Sequence, residues 1–156
     1  MPRSSGITLD SKALDKQLAN AIQRNPAATT KTVHRILLDL AGESARRAPI
    51  ESGDLRNDCT AELNGKKTFA KQSPIGGAPP ASLKAFGSVG YSLPYALRQH
   101  EELDYRHDRT DGYRRPDGTT VNMVAGGEAK YLERPFDERV NSYVLQLSKI
   151  PEEVLT

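Results

Sequence analysis

Apolar residues recur at helical spacing from the start of the chain. Leu14, Leu18, Ala21 and Ile22 share one face, which predicts a helix over residues 9–24 with Thr8 or Asp10 as its cap. Asn25-Pro26 should end it. A longer stripe follows: Val33, Ile36, Leu37, Leu40, Ala41, Ser44, Ala45 and Ala48 predict a core helix over residues 28–47, stopped by Pro49. Gly42 lies beside this stripe and suggests close approach of a neighbour. Ser52-Gly53-Asp54 signals a turn, with Gly53 expected at positive φ. The period then changes to two: Leu55, Asn57, Cys59, Ala61 and Leu63 predict a strand over residues 55–63, and Asn64-Gly65 a tight turn after it.

Residues 66–82 read as a long loop or arm, because residues 72–82 hold three prolines and two glycines. A strand is expected over residues 83–91, then a turn at residues 95–97 after Pro94. Residues 104–126 are strongly polar around Pro116-Asp117-Gly118 and predict a projecting hairpin. The last helix should begin near Pro135, bury Phe136, Val140, Val144 and Leu147 on one face, and close at Pro151. Residues 1–7 carry no pattern and are expected to be disordered. Helices at both ends and strands between them predict an α+β fold, with two N-terminal helices and one C-terminal helix on one face of a small, mainly antiparallel sheet.

A chain of 156 residues suits one domain, residues 1–156. Only 37% of residues are hydrophobic and there is no tryptophan, so the core should be thin. Such a chain either has long loops or completes its burial against neighbours. A net charge of +2 argues against a dedicated nucleic-acid binder. No apolar stretch is long enough to span a bilayer, and Met1-Pro2-Arg3-Ser4-Ser5-Gly6 does not read as a secretory signal. Cys59 stands alone between Asp58 and Thr60, with no adjoining cation, and reads as a packed strand cysteine.

His100-Glu101-Glu102-Leu103-Asp104 looks like the opening of a zinc-protease helix, but Asp104 stands where the second imidazole should be. The next histidine is His107, so a small metal-dependent hydrolase using His100, Glu101 and His107 is the alternative from the enzyme class. Gly87-Ser88-Val89-Gly90 lacks the spacing of a nucleophile elbow, and Gly76-Gly77-Ala78-Pro79-Pro80 is no phosphate loop. The arginines between residues 106 and 115 alternate with aspartates, which favours a solvated hairpin over nucleic-acid contact, although a DNA-binding accessory role is a further alternative.

One ordered set of short motifs is more specific. Ala48-Pro49, Ser52-Gly53 and Leu55-Arg56 come first; then Pro94-Tyr95-Ala96, His100-Glu101 and His107; then Ala129-Lys130-Tyr131-Leu132-Glu133 before Pro135. In this order, over residues 33–147, they resemble the neck or tail-completion proteins of long-tailed bacteriophages, also called minor capsid or head-tail joining proteins. The resemblance implies a structural virion protein, assembled in the bacterial host cytoplasm, with no enzyme activity and no cofactor. It implies a self-assembled sixfold ring between the connector or adaptor and the tail terminator or tail tube. Genome DNA would pass through the lumen without sequence-specific binding, and no membrane is involved. The residues that it marks for fold or assembly are Gly53, Leu55, Arg56, Tyr95, His100, Glu101, His107, Lys130, Tyr131, Leu132 and Pro135.

Overall fold

The computed structural model describes residues 9–49, 53–77, 79–103, 113–114, 120–121 and 127–152. The expectations for residues 1–7, for Ser52, for His107 and for most of the 104–126 hairpin lie outside the described residues.

The fold is α+β. Two helices open it, α1 (Lys12–Arg24) and α2 (Pro26–Arg47), followed by a short α3 (Asp54–Asp58). The strands β1 (Thr60–Leu63), β2 (Lys66–Ala70), β3 (Ser73–Pro74) and β4 (Gly87–Gly90) form one antiparallel sheet in the order β3-β2-β1-β4. Then come α4 (Ala96–Glu101), the pair β5 (Tyr113–Arg114) and β6 (Thr120–Val121), and α5 (Glu133–Ser148). α2 lies directly on the sheet, and α1 and α5 pack against α2 and against each other.

The stripe read on α2 is the core. Val33, Ile36, Leu37, Leu40, Ala41, Ser44, Ala45 and Ala48 are all buried. Asn25 both ends α1 and begins α2: its N–H donates to the Ala21 carbonyl, and its side-chain oxygen accepts from Ala28 N–H at 3.0 Å. α1 ends at Arg24, as Asn25-Pro26 predicted, and Pro26 is also the first residue of α2, two residues before the expected start, since a proline in the first turn loses no helical hydrogen bond. Gly42 has no close neighbour among the described residues; none of them lies within 4 Å of where its Cβ would stand. Gly53 does take positive φ, at 82°.

Three strand expectations change. Residues 54–58 are helical, so Leu55 is buried from α3, and the strand is only Thr60–Leu63. Leu55 and Cys59 share a face at helical spacing i, i+4 as well as at a period of two, so the alternation there could not separate the two structures.

The first part of the supposed 66–82 arm is sheet. Asn64 and Gly65 adopt φ of 51° and 77°, a two-residue hairpin turn that sends Lys66–Ala70 back along β1. The register slips between Ala61 and Glu62, leaving Thr68 as an extra residue, so Thr68 and Phe69 are both buried and the strand shows no clean alternation. Lys71 and Gln72 make a second turn at positive φ into β3. The last strand is shorter than the expected 83–91, being Gly87–Gly90.

α5 starts two residues before Pro135 and buries Pro135, Phe136, Tyr143 and Leu147, with Val140 and Val144 only partly covered. A polar seam runs beside this contact. Arg139 pairs with Asp39 at 3.0 Å, Tyr143 donates to Asp39 at 2.7 Å, and Arg47 reaches both carboxylate oxygens of Glu138 at 2.9 and 2.7 Å.

Truncating the stripe tests this arrangement. Leu37→Ala and Leu40→Ala should each cost about 2–5 kcal/mol, the range for large-to-small changes at buried leucine. Urea melts of both variants check this, and a loss below about half a kcal/mol in both would contradict the central place of α2.

Candidate functional site

Three segments distant in sequence meet at the start of α5. α4 supplies His100 and Glu101, the loop before α5 supplies Lys130 and Tyr131, and α5 itself supplies Glu133. His100 is wholly buried. Its backbone carbonyl accepts from Lys130 N–H at 2.8 Å, and its Nε2 faces the Glu133 N–H at 3.3 Å. That amide belongs to the first turn of α5, where no carbonyl is available within the helix. The imidazole thus caps a helix 33 residues away in the chain.

This contact settles the tautomer. Nε2 must be a bare acceptor, so the ring proton sits on Nδ1 and is donated to Glu101 Oε1 at 2.7 Å. Burial lowers the pKa of His100, against the opposing pull of Glu101. Lys130 stands in the left-handed region at φ 59°, a costly place for a residue with a Cβ. It is held there at both ends. The backbone bonds His100, and the ammonium lies between Glu101 Oε2 at 2.6 Å and Glu133 Oε2 at 2.9 Å. Those contacts raise the pKa of Lys130, and the Lys130 ammonium lowers that of Glu101, with help from His100.

Tyr131 forms the floor. It is fully buried, donates to the Ala96 carbonyl at 2.7 Å, and sets its ring edge-on to His100 and to Tyr91, each at 5.0 Å between centroids. Tyr91 in turn shares a hydrogen bond of 2.7 Å with Ser44 of α2. Asp58 fixes the approach to α4, accepting from the backbone N–H groups of Ser92 and Leu93.

No protein-family model, curated protein or solved structure matches this chain. The geometry must therefore be weighed by itself. The motif residues fall into two places. Tyr95, His100, Glu101, Lys130, Tyr131, Leu132 and Pro135 gather around the head of α5; Tyr95 is at its rim and half-exposed, while Leu132 and Pro135 are buried. Gly53, Leu55 and Arg56 lie beside the C-terminus of α2, the same end that the segment before α5 reaches through the Glu128 N–H bond to the Arg47 carbonyl. There Arg56 Nε donates to the Ala48 carbonyl at 2.7 Å and caps the C-terminus of α2 from α3. His107 lies outside the described residues, and the alternative His100/Glu101/His107 set lies outside them with it.

Sequence reasoning missed two participants. Glu133 closes the ion pair from α5, and its only signal was its place at the end of the 129–133 motif. Tyr91 looked like an ordinary strand residue, yet it links α2 to Tyr131. Cys59 does pack as expected: it is wholly buried just before β1, and burial raises its thiol to about 11.

Donor atoms of His100, Glu101 and Glu133 lie within 4.8 Å of one another, an imidazole and two carboxylates of the kind that hold a divalent ion. Each is already engaged. The Lys130 ammonium bonds both carboxylates, and both imidazole nitrogens have partners. What this arrangement does chemically is to fasten α4, the loop and α5 together.

The capping role of His100 predicts a pH dependence. Burial disfavours the charged imidazole and holds the pKa of His100 below the ordinary 6.5, and protonation would also put a second N–H against the Glu133 N–H. As pH drops from 6.5 toward that lower value, the unfolded chain binds more protons than the native one, and stability is lost. Glu101 loses its own contribution only below its ordinary 4.5. Thermal melts should therefore show a fall in Tm as the pH drops below about 6.5 that is much flatter in His100→Gln. Parallel slopes in the two proteins would contradict the assignment.

Proposed function

We propose that this chain is a structural protein of the head-tail junction of a long-tailed phage. Copies form a sixfold ring between the connector and the tail terminator or tail tube, and DNA passes through without sequence-specific contact. The observation that carries the reading is the convergence at the head of α5. The residues of the later motifs, 94–96, 100–101 and 129–133, meet in one tie whose polar atoms are largely satisfied by each other. A catalytic constellation keeps a reactive group open to substrate, whereas here the histidine is wholly buried and both its ring nitrogens are engaged. The motif thus has a scaffold role, which suits an assembly part. The near-neutral charge of +2 fits a ring that lets DNA slide past it.

Disrupting the gene in the phage or prophage that carries it tests this. Electron microscopy of the lysate should show DNA-filled heads and separate tails, and adding the purified chain should join them and restore infectivity. Joined, infectious particles in its absence would refute the proposal. Metal analysis of untagged protein purified without chelator adds a second arm. One zinc per chain, lost in His100→Ala, would favour the hydrolase instead. Steeply salt-dependent DNA binding would favour the accessory DNA-binding role.

A further inference from the structure

The four-stranded sheet has two unlike edges. On one side β3 is two residues long and ends in Pro74, and the bulge at Thr68 distorts the strand next to it. Short strands, prolines and bulges keep an edge from pairing. On the other side β4 is Gly87-Ser88-Val89-Gly90, with no proline, no charge and a regular pairing to β1. Among the described residues no strand covers its outer side. Asn64 N–H donates to the Phe86 carbonyl at 2.8 Å, which sets the alternation along β4. Ser88 and Gly90 face β1, while Gly87 and Val89 turn their N–H and C=O groups outward.

Beside this edge lies an apolar cavity of about 520 Å³, lined by Leu14, Leu18, Leu37, Val89 and Phe136 among others, with Asp15 as its one charged side chain among the described residues. The chain just before β4 projects the complement. Leu83 and Phe86 are 83% and 61% exposed, with Phe86 also at the rim of the chain's own cavity, and exposed Lys84 lies between them.

We infer that two copies of this chain pair through β4, antiparallel about a two-fold axis. Edge bonds edge, residues 83–86 of each copy cover the cavity of the other, and Lys84 of each meets Asp15 of the second copy. The occupant is a second copy because the open edge and the exposed apolar run lie within the same residues 83–90, so one two-fold axis satisfies both at once. The charges agree as well: the acidic group stands on the cavity wall and the basic one on the segment that fills it. The blunted β3 edge offers no counterpart for head-to-tail pairing of sheets. Such an isologous contact closes on itself and is separate from the heterologous contact that a ring requires, so it stands or falls independently of the neck reading.

Sedimentation equilibrium of the full chain should show a monomer–dimer equilibrium. Hydrogen exchange should show protection of the Gly87 and Val89 amides that rises with protein concentration. The double change Leu83→Glu, Phe86→Glu alters two largely exposed side chains, the second at the cavity rim, and should give a monomer with unchanged circular dichroism. Lys84→Glu and Asp15→Lys should each weaken pairing roughly three- to tenfold, because an exposed ion pair is worth a few-fold and occurs twice across the axis. The two changes together should restore it. A chain that is monomeric at every concentration would overturn the inference. So would a dimer indifferent to the double glutamate variant, or a charge swap that fails to restore pairing.

Discussion

Leu37 of α2 rests on the sheet at Gly87, a strand position that has no side chain. A Cβ on Gly87 would stand 2.6 Å from Leu37 Cδ1, far inside van der Waals contact. This close approach sets the height of α2 above β1 and β4, and the rest of the molecule is arranged around α2. With 37% hydrophobic residues the chain has one stripe able to serve two layers. α2 uses one part of that stripe on the sheet and another on α1 and α5. α1 and α5 reach the sheet chiefly through α2, so their positions depend on it.

The ends of α2 show how the remaining segments are placed. Near its C-terminus the Ala48 carbonyl accepts from Arg56, and the Arg47 carbonyl accepts from Glu128 N–H at 3.0 Å. Arg47 also spreads its guanidinium over Glu43, Glu128 and Glu138. Exposed ion pairs contribute little stability, typically below about 1 kcal/mol each. Their effect here is to fix direction: a bidentate contact to Glu138 sets the rotation of α5 about its axis. The His100 tie then fixes where α5 begins. Burying an imidazole is tolerable because both nitrogens are engaged, one by Glu101 and one by the Glu133 amide.

The helices were legible because their stripes are long. Every stripe residue assigned to α2 is buried, and Pro26 alone displaced its start. The sheet was less legible. Asn64-Gly65 announced a hairpin, and the necessary consequence is that residues 66–70 return beside β1; the prolines farther on concealed it, and the bulge at Thr68 removed the alternation that would have shown it. α3 was hidden because Leu55 and Cys59 align in either structure. At the candidate site the residue types were in view, but their partnership was not. No periodicity connects His100 to Glu133, and the ion pairs of Lys130 arise only once α4 and α5 have been brought together. Arg56 was read as the start of a strand, and its work as a cap on Ala48 depends on a helix that the alternation disguised.

His100 caps α5 with both ring nitrogens engaged. Long-range proton–nitrogen NMR of labelled protein near neutral pH reads its two ring nitrogens directly, with the signals assigned by their absence in His100→Gln. A protonated Nδ1 and a bare, hydrogen-bonded Nε2, both unmoved by equimolar zinc, are the expected result. A protonated Nε2, or nitrogens shifted by zinc, would contradict it.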